Sequence, residues 1–319
     1  MTRRVFMRVA QSVAVVFSAA TLAFVLLQLA PGDPATALGE GLTPELRATI
    51  RAQYGLDDSL ATQYGRWLWS LVRGDLGWSR DQHRPVADVL SDALPRSLLL
   101  MGCALSVSLV GGMLIGAWQG ARAGSRRDRT TSTALLVLYS LPEFWLALVL
   151  LVVFAHELRW LPATGITGEM YGYMNAREQL VDRLRHLVLP LTSLSLVGVS
   201  VFARYQRNAM QESMAQAFVR TARAKGLTES AVRRQAWRNA LLPVITVTGL
   251  LLPALITGAV FVERVFAWPG MGYAMIRAIE ARDYPVVSAG VIVGSAVTAF
   301  GAALADIARE IADPRLRSP

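Results

Sequence analysis

Five stretches of this 319-residue chain run for 17 to 25 residues without one Asp, Glu, Lys or Arg: 9–32, 97–121, 187–203, 239–262 and 284–305. A sixth, 130–156, is interrupted only by Glu143. A hydrocarbon core about 30 Å thick takes roughly 20 apolar residues as helix, so these lengths match bilayer spans. Glu143 does not disqualify the sixth. Fourteen Leu, Val and Phe lie between Leu135 and Phe154, and together they return about 4–8 kcal/mol against about 2.5–3.5 for one central charge. Backbone hydrogen bonds must close within the segment in lipid, and 20-residue apolar runs do not suit barrel strands, so the spans are helices. The reading is an all-α membrane protein with six transmembrane helices at about 9–30, 97–120, 132–156, 187–204, 239–262 and 284–306. Residues 1–319 form one domain. A cleaved signal peptide does not fit the first span. Its apolar run of about 22 residues exceeds the usual 7–15, and Ala30-Pro31-Gly32 offers no small-x-small site.

Composition agrees. The chain is 53% apolar and 17% charged, outside the range of a disordered chain. Cys103 is the single cysteine, which excludes an internal disulfide, a multi-cysteine zinc site and a cysteine-ligated cluster. The formal charge of +9 would by itself suggest nucleic acid. Its distribution says otherwise. With both termini on one side, that side holds 18 basic and 6 acidic residues, and the opposite side 14 and 16. Seven of those 14 lie in the long segment 31–96, whose vote in the positive-inside rule is weak, so the short connections divide 18 against 7. Both termini are therefore cytoplasmic, and the inner face carries +12, suited to anionic membrane lipid rather than nucleic acid.

The connections differ in what they encode. In the outer segment 31–96, helical spacing predicts short amphipathic helices over 45–54 and 59–72, the second with Tyr64, Trp67, Leu68 and Leu71 on one side, and a third after Pro85 through Val86, Val89 and Leu90. Residues 157–186 show little periodicity. Around Trp268-Pro269-Gly270 the turn chemistry is clear, and a short helix is expected over 273–282.

The cytoplasmic stretch 205–238 is the most informative. A helix is expected from about Ala209 to Lys225, ended by Gly226 in the left-handed conformation, with Thr228 capping a second helix through Arg238. Arg220, Arg223, Lys225, Arg233 and Arg234 surround the corner. This is either an ordinary basic loop beside anionic lipid or a docking surface that passes a rigid push into the spans. A DNA-reading helix-turn-helix has no room for its supporting helix.

Catalytic motifs are missing. Lys225 is the sole lysine and sits in Ala224-Lys225-Gly226-Leu227, so no P-loop can form. His83, His156 and His186 form no HExxH, no metal site is indicated and no cofactor is required. The spans hold serines without a central base for nucleophilic catalysis. Glu143 beside Pro142 is the one acid near a midplane. It is either a cavity acid facing a cationic part of a transported molecule or a protonated, hydrogen-bonded acid at a helix contact.

The ordered set of short motifs resembles the membrane permease subunits of ABC importers, of the first-permease type in the dipeptide/oligopeptide/nickel group. It comprises Pro31-Gly32-Asp33-Pro34, Arg73-Gly74-Asp75-Leu76-Gly77 and Pro142 with Phe144-Trp145-Leu146. It continues with Arg220 to Leu227, Arg238 to Pro243, Phe266 to Gly272, Arg282 to Pro285 and Asp313 to Arg317. The likeness covers nearly the whole chain. It implies a permease forming half of a translocation pathway, partnered by a second homologous permease, two cytoplasmic ATP-binding subunits and an extracytoplasmic solute-binding protein. It also implies residence in the plasma (inner) membrane of a prokaryote. Arg220, Ala222, Arg223, Lys225, Gly226, Leu227, Arg233 and Arg234 would then belong to the ATPase-coupling EAA-type loop, although Arg220-Thr221-Ala222 replaces the literal Glu-Ala-Ala. Glu143 stands where that branch usually has a small or uncharged residue. Peptides are the expected cargo. A nickel or metal-chelate importer is the alternative within the family, and a stand-alone secondary transporter the alternative outside it.

Overall fold

A computed structural model describes residues 2–29, 57–251 and 259–312. The expected helix at 45–54, the motifs at 31–34 and 313–317, and residues 252–258 of the fifth span lie outside the described residues. The chain is predominantly helical and divides into two compact units, Met1–Leu94 with Ala274–Ala296 and Pro95–Tyr273 with Val297–Pro319.

In the first unit, α1 (Thr2–Leu29) packs on α2 (Leu60–Val72) through small and aromatic residues. Ala20 and Ala23 are buried, and Phe24 meets Tyr64 and Trp67 at ring separations of 5.2 and 5.4 Å. Ser59 caps α2 by accepting from the Thr62 amide. A two-residue ladder follows, β1 (Trp78–Ser79) antiparallel to β2 (Arg84–Pro85). Asp283, buried just before the last long helix, accepts from the Ser79 hydroxyl at 2.6 Å and from the Arg80 and Asp81 amides at 3.0 and 3.2 Å. That carboxylate shapes the small hairpin.

Continuous helix α3 (Val86–Gly120) starts eleven residues ahead of the expected span. Val86, Val89 and Leu90, expected on a separate outer helix, are its buried first turns. Pro95 lies inside α3, a placement neighbouring helices can accommodate.

The second unit holds most of the remaining helices. Its core gathers Leu100, Met101 and Ala104 of α3 with Ala147, Leu189, Leu194, Val262, Phe266 and Trp268. The expected span 132–156 is not one straight helix. It is α4 (Arg126–Ser140) and α5 (Glu143–Leu150), the latter continued by a π-helical turn, Leu151–Glu157, with a 100° bend between the halves. Pro142 has no N–H to give, and Leu141 before it is pushed to an extended backbone of φ −80° and ψ 134°. The 40-residue α6 (Ala176–Ala215) exceeds its predicted span at both ends. At 1.5 Å per residue it is about 60 Å long, twice the hydrocarbon core. Its start, within a stretch that showed little periodicity, is a full capping box between Asn175 and Glu178.

One close helix contact in this unit is made by glycine. Gly112, Gly116 and Gly120 form one edge of α3 against α6. A Cβ added at these positions would lie 2.4 Å from Phe202 Cβ, 2.4 Å from the Ala203 carbonyl oxygen and 2.6 Å from Met210 Cβ, respectively. Small residues four apart let two backbones touch, which is how helices associate in lipid without a hydrophobic driving force.

By length and composition, α3, α6 and α11 (Tyr284–Ala312) can each cross a membrane, the latter through Tyr284–Ala303, and α4 with α5 makes a fourth as a bent pair. Helix α1 adds the apolar stretch Ala10–Leu26.

Candidate functional site

The corner expected at Gly226 is present, but the helix leading into it is shorter than predicted. Helix α6 stops at Ala215 because Gln216 is extended, φ −70° and ψ 156°, and α7 (Ala217–Ala224) restarts the chain in a new direction. The expected continuous helix from Ala209 to Lys225 is therefore two helices. Gln216 is neither Gly nor Pro, so residue type gave no warning of the break.

Helix α7 ends in a Schellman motif. The Leu227 amide reaches the Ala222 carbonyl at 3.2 Å and the Gly226 amide the Arg223 carbonyl at 2.9 Å. Gly226 has φ +76°, where a side chain would be strained. Thr228 then accepts from the Ala231 amide at 3.4 Å and opens α8 (Glu229–Leu251). The two arms pack through Val219, Ala222 and Val232, with Phe218 against them. Farther back, Ala209 and Met210 of α6 meet Ala236 and Ala240 of α8, and the Ser213 hydroxyl donates to the Ala236 carbonyl at 2.8 Å. The corner is thus built onto the long helix rather than hung from it.

Its outward face is polar and open. Every residue from Arg223 to Ser230 is exposed. Arg223 forks onto Glu229 at 2.7 and 3.2 Å, which raises the guanidinium's proton affinity and holds the Glu229 carboxyl below its ordinary value. Arg220, Lys225 and Arg234 are exposed and Arg233 is half-buried, while Leu227 offers an apolar side chain at 41% exposure. Ala222 alone of the predicted coupling residues is buried, as a contact between the arms.

A polar anchor steadies this end of the unit. Asp128, 1% exposed, receives Arg207 in a two-bonded fork at 2.7 and 2.9 Å, and the Gly124 amide at 2.9 Å. Arg207 lies on α6 beyond its apolar stretch, and Asp128 on the polar first turn of α4. The guanidinium holds the Asp128 carboxyl below its ordinary value against the opposing effect of burial. Sequence reading missed this pair because the partners are 79 residues apart.

Glu143 is placed elsewhere, on no element of the corner. It is the exposed first residue of α5, directly after the bend. Exposed Phe144 and Trp145 follow it, and Phe144 lies 6.3 Å from the ring of Phe261. The opening turn of α5 has no side-chain cap, so an acid there also faces unsatisfied N–H groups and the positive end of the helix dipole.

Residues 112–318 match the family described as binding-protein-dependent transport system inner membrane component, and residues 1–101 match its N-terminal counterpart. Among curated proteins, a peptide transport system permease of Brucella abortus is 37% identical over 320 residues, 99% of both chains. The oligopeptide transport system permease AppB of Bacillus subtilis is 34% identical over 322 residues, again 99% of both. The di/tripeptide transport system permease DppB of Pseudomonas aeruginosa is 36% identical over 317 residues, 94% of both.

Proposed function

This chain belongs to the binding-protein-dependent transport system inner membrane components, and from that premise we propose that it is the permease subunit of an ATP-driven importer of dipeptides and oligopeptides. It is a multi-pass plasma-membrane protein. The relatives' names favour peptides over a nickel or metal-chelate cargo. The observation that carries the mechanism is the exposed helix–Gly–helix corner in a chain whose single lysine lies outside any P-loop. Such a chain must receive the work of ATP hydrolysis from another subunit, and a compact corner joined to a 60 Å helix transmits a push that a slack loop would absorb.

The full reading has six spans and cytoplasmic termini, with residues 1–319 as one transport domain. It pairs with a second permease, two ATP-binding subunits dock on the inner faces, and a binding protein delivers peptide from outside. Arg220, Arg223, Lys225, Gly226, Leu227, Arg233 and Arg234 form the docking face and Ala222 its internal contact. The protein itself is not an enzyme. Replacing Gly226 by Val should leave the chain in the membrane and reduce peptide uptake by about tenfold, the equivalent of about 1.4 kcal/mol of strain at the corner. Uptake at the wild-type rate sinks the coupling role.

Glu143 is assigned to the pathway. Its support is an acid beside exposed aromatic rings at a proline-broken span, the setting in which an intramembrane ionisable group serves transport. Glu143→Gln should slow uptake of cationic peptides more than neutral ones; equal rates for both remove it from the pathway.

A further inference from the structure

The turn from Phe266 to Gly272 has no part in the corner, yet a buried polar cluster gathers around it. It joins α9 (Val260–Val265) to α10 (Met271–Glu280). The first backbone N–H groups of α10 have no intrahelical acceptors, and their partners come from two other helices. Ser97 of α3 accepts from the Met271 amide at 2.7 Å and donates its own proton to Glu263 Oε1 at 2.5 Å. Glu263 Oε2 accepts from the Tyr273 amide at 3.1 Å. Beside them the Trp268 indole N–H donates to the Arg96 carbonyl at 3.1 Å. Glu263 and Trp268 are 1% exposed and Ser97 5%.

The backbone is bent to make this possible. Ala267 takes φ +47°, a conformation that side chains seldom adopt. A Cβ at Gly270 would fall 2.4 Å from Ser97 Oγ and 2.6 Å from Glu263 Cδ, and one at Gly272 would fall 2.6 Å from Val260 Cα. Beyond the cap, Arg277 of α10 bonds Asp81 of the small hairpin at 2.7 Å.

A helix is ordinarily capped by the residue that precedes it, through a local Ser, Thr, Asn or Asp. Such a cap is indifferent to what other helices do. The cap of α10 is remote: it exists only while Ser97 on α3, Glu263 on α9 and the start of α10 keep their spacing. A carboxylate at a helix N-terminus is favourable, but a buried charge is costly once a partner is lost. The arrangement therefore holds strongly in one geometry and weakly in any other.

We propose that Glu263 is a positioning residue of the transport cycle, a remote cap through which α10 registers the relative placement of α3 and α9 and on which the outer-side response to loaded binding protein depends. This rests on the importer reading above. The test uses the complete importer in nanodiscs, with the binding protein carrying the ligand it co-purifies with, and compares ATP hydrolysis with and without that protein. Glu263→Gln should assemble and keep its unstimulated rate within about twofold, while stimulation falls about tenfold, the scale of a lost charged hydrogen bond. Ser97→Ala, which retains the carboxylate and its Tyr273 bond, should lose roughly threefold. Wild-type stimulation in either variant overturns the proposal. So does a loss of stimulation in Ser97→Ala that comes with an equal loss of unstimulated rate and a lower melting temperature, because that is damage to the fold alone. If Glu263→Gln does not assemble, Ser97→Ala decides. Dipeptide uptake is scored separately in the wild type, and its absence overturns the peptide reading without touching the stimulation assay.

Discussion

Gly116 and Gly226 are both fixed as glycine, for opposite reasons. At Gly116 the backbone conformation is ordinary and space is missing: a Cβ would meet the Ala203 carbonyl oxygen at 2.4 Å and Gln206 Cβ at 2.8 Å. At Gly226 space is free, with nothing within 4 Å of an added Cβ, and the conformation is the constraint, φ +76°. The first glycine belongs to a seam between α3 and α6, the second to the exposed corner between α7 and α8. One region is closed within the chain and the other is exposed. The difference predicts that damage to the seam is read as lost stability, and damage to the corner as lost coupling.

The largest effect should come from the seam. Gly116→Leu must force apart two backbones in contact, and overpacking of this kind costs about 3 kcal/mol. The chain should lose most of its abundance in the membrane and its cooperative melting in detergent. Normal melting with normal uptake would show that α3 and α6 do not pack through their glycines. Gly112→Ala and Gly120→Ala should each do less than Gly116→Leu, since a methyl group displaces less.

Between the two regions in size stands Asp128→Asn. It leaves Arg207 half-buried opposite a neutral amide, a loss of about 2 kcal/mol for a charged hydrogen bond. The pH dependence follows from the depressed Asp128 pKa in the folded chain. Its contribution is fully present above the unfolded carboxylate value, about 3.9, and is lost as pH falls through the folded value. Melting temperature measured from neutral to acid pH should therefore decline below about pH 4 in the wild type, and Asp128→Asn should remove part of that decline. Identical acid profiles would show that the fork to Arg207 does not stabilise this end of the unit.

What the sequence made legible follows the reach of each interaction. Gly226 and Thr228 announced the corner because a left-handed terminator and an N-cap act over four residues. The apolar stretches announced helices, and α3, α6 and α11 are long enough to span. A proline such as Pro142 disturbs any helix, but residue type does not set a 100° break, since the bend depends on where α5 and its neighbours pack. The capping box at Asn175 and Glu178 was open to reading, yet the stretch lacks the apolar period that directs attention to it. Arg207 with Asp128 and Ser97 with Glu263 were beyond reach. Their partners are 79 and 166 residues apart, and nothing local marks either as paired. Glycines at 112, 116 and 120 are visible as a pattern, but the face they serve becomes known only when Phe202, Ala203 and Met210 are set against them.

The smallest effect on stability, and the sharpest test of the contrast, belongs to Gly226→Val. No neighbour has to move, so the cost is the backbone's alone, about 1–2 kcal/mol if φ stays positive. The strain also has a local outlet: α7 can relax its last turn, giving up the Gly226-to-Arg223 and Leu227-to-Ala222 bonds while Val219 and Val232 keep the arms packed. Melting should thus fall far less than in Gly116→Leu, even as ATP-driven uptake drops about tenfold. Asparagine tolerates the left-handed region better than a β-branched residue, so Gly226→Asn should recover much of the uptake with no change in melting. An order of uptake Gly, Asn, Val, set against nearly constant melting, is what a conformational role requires. Melting that drops in step with uptake would instead mean that the corner is as much a part of the closed interior as the seam.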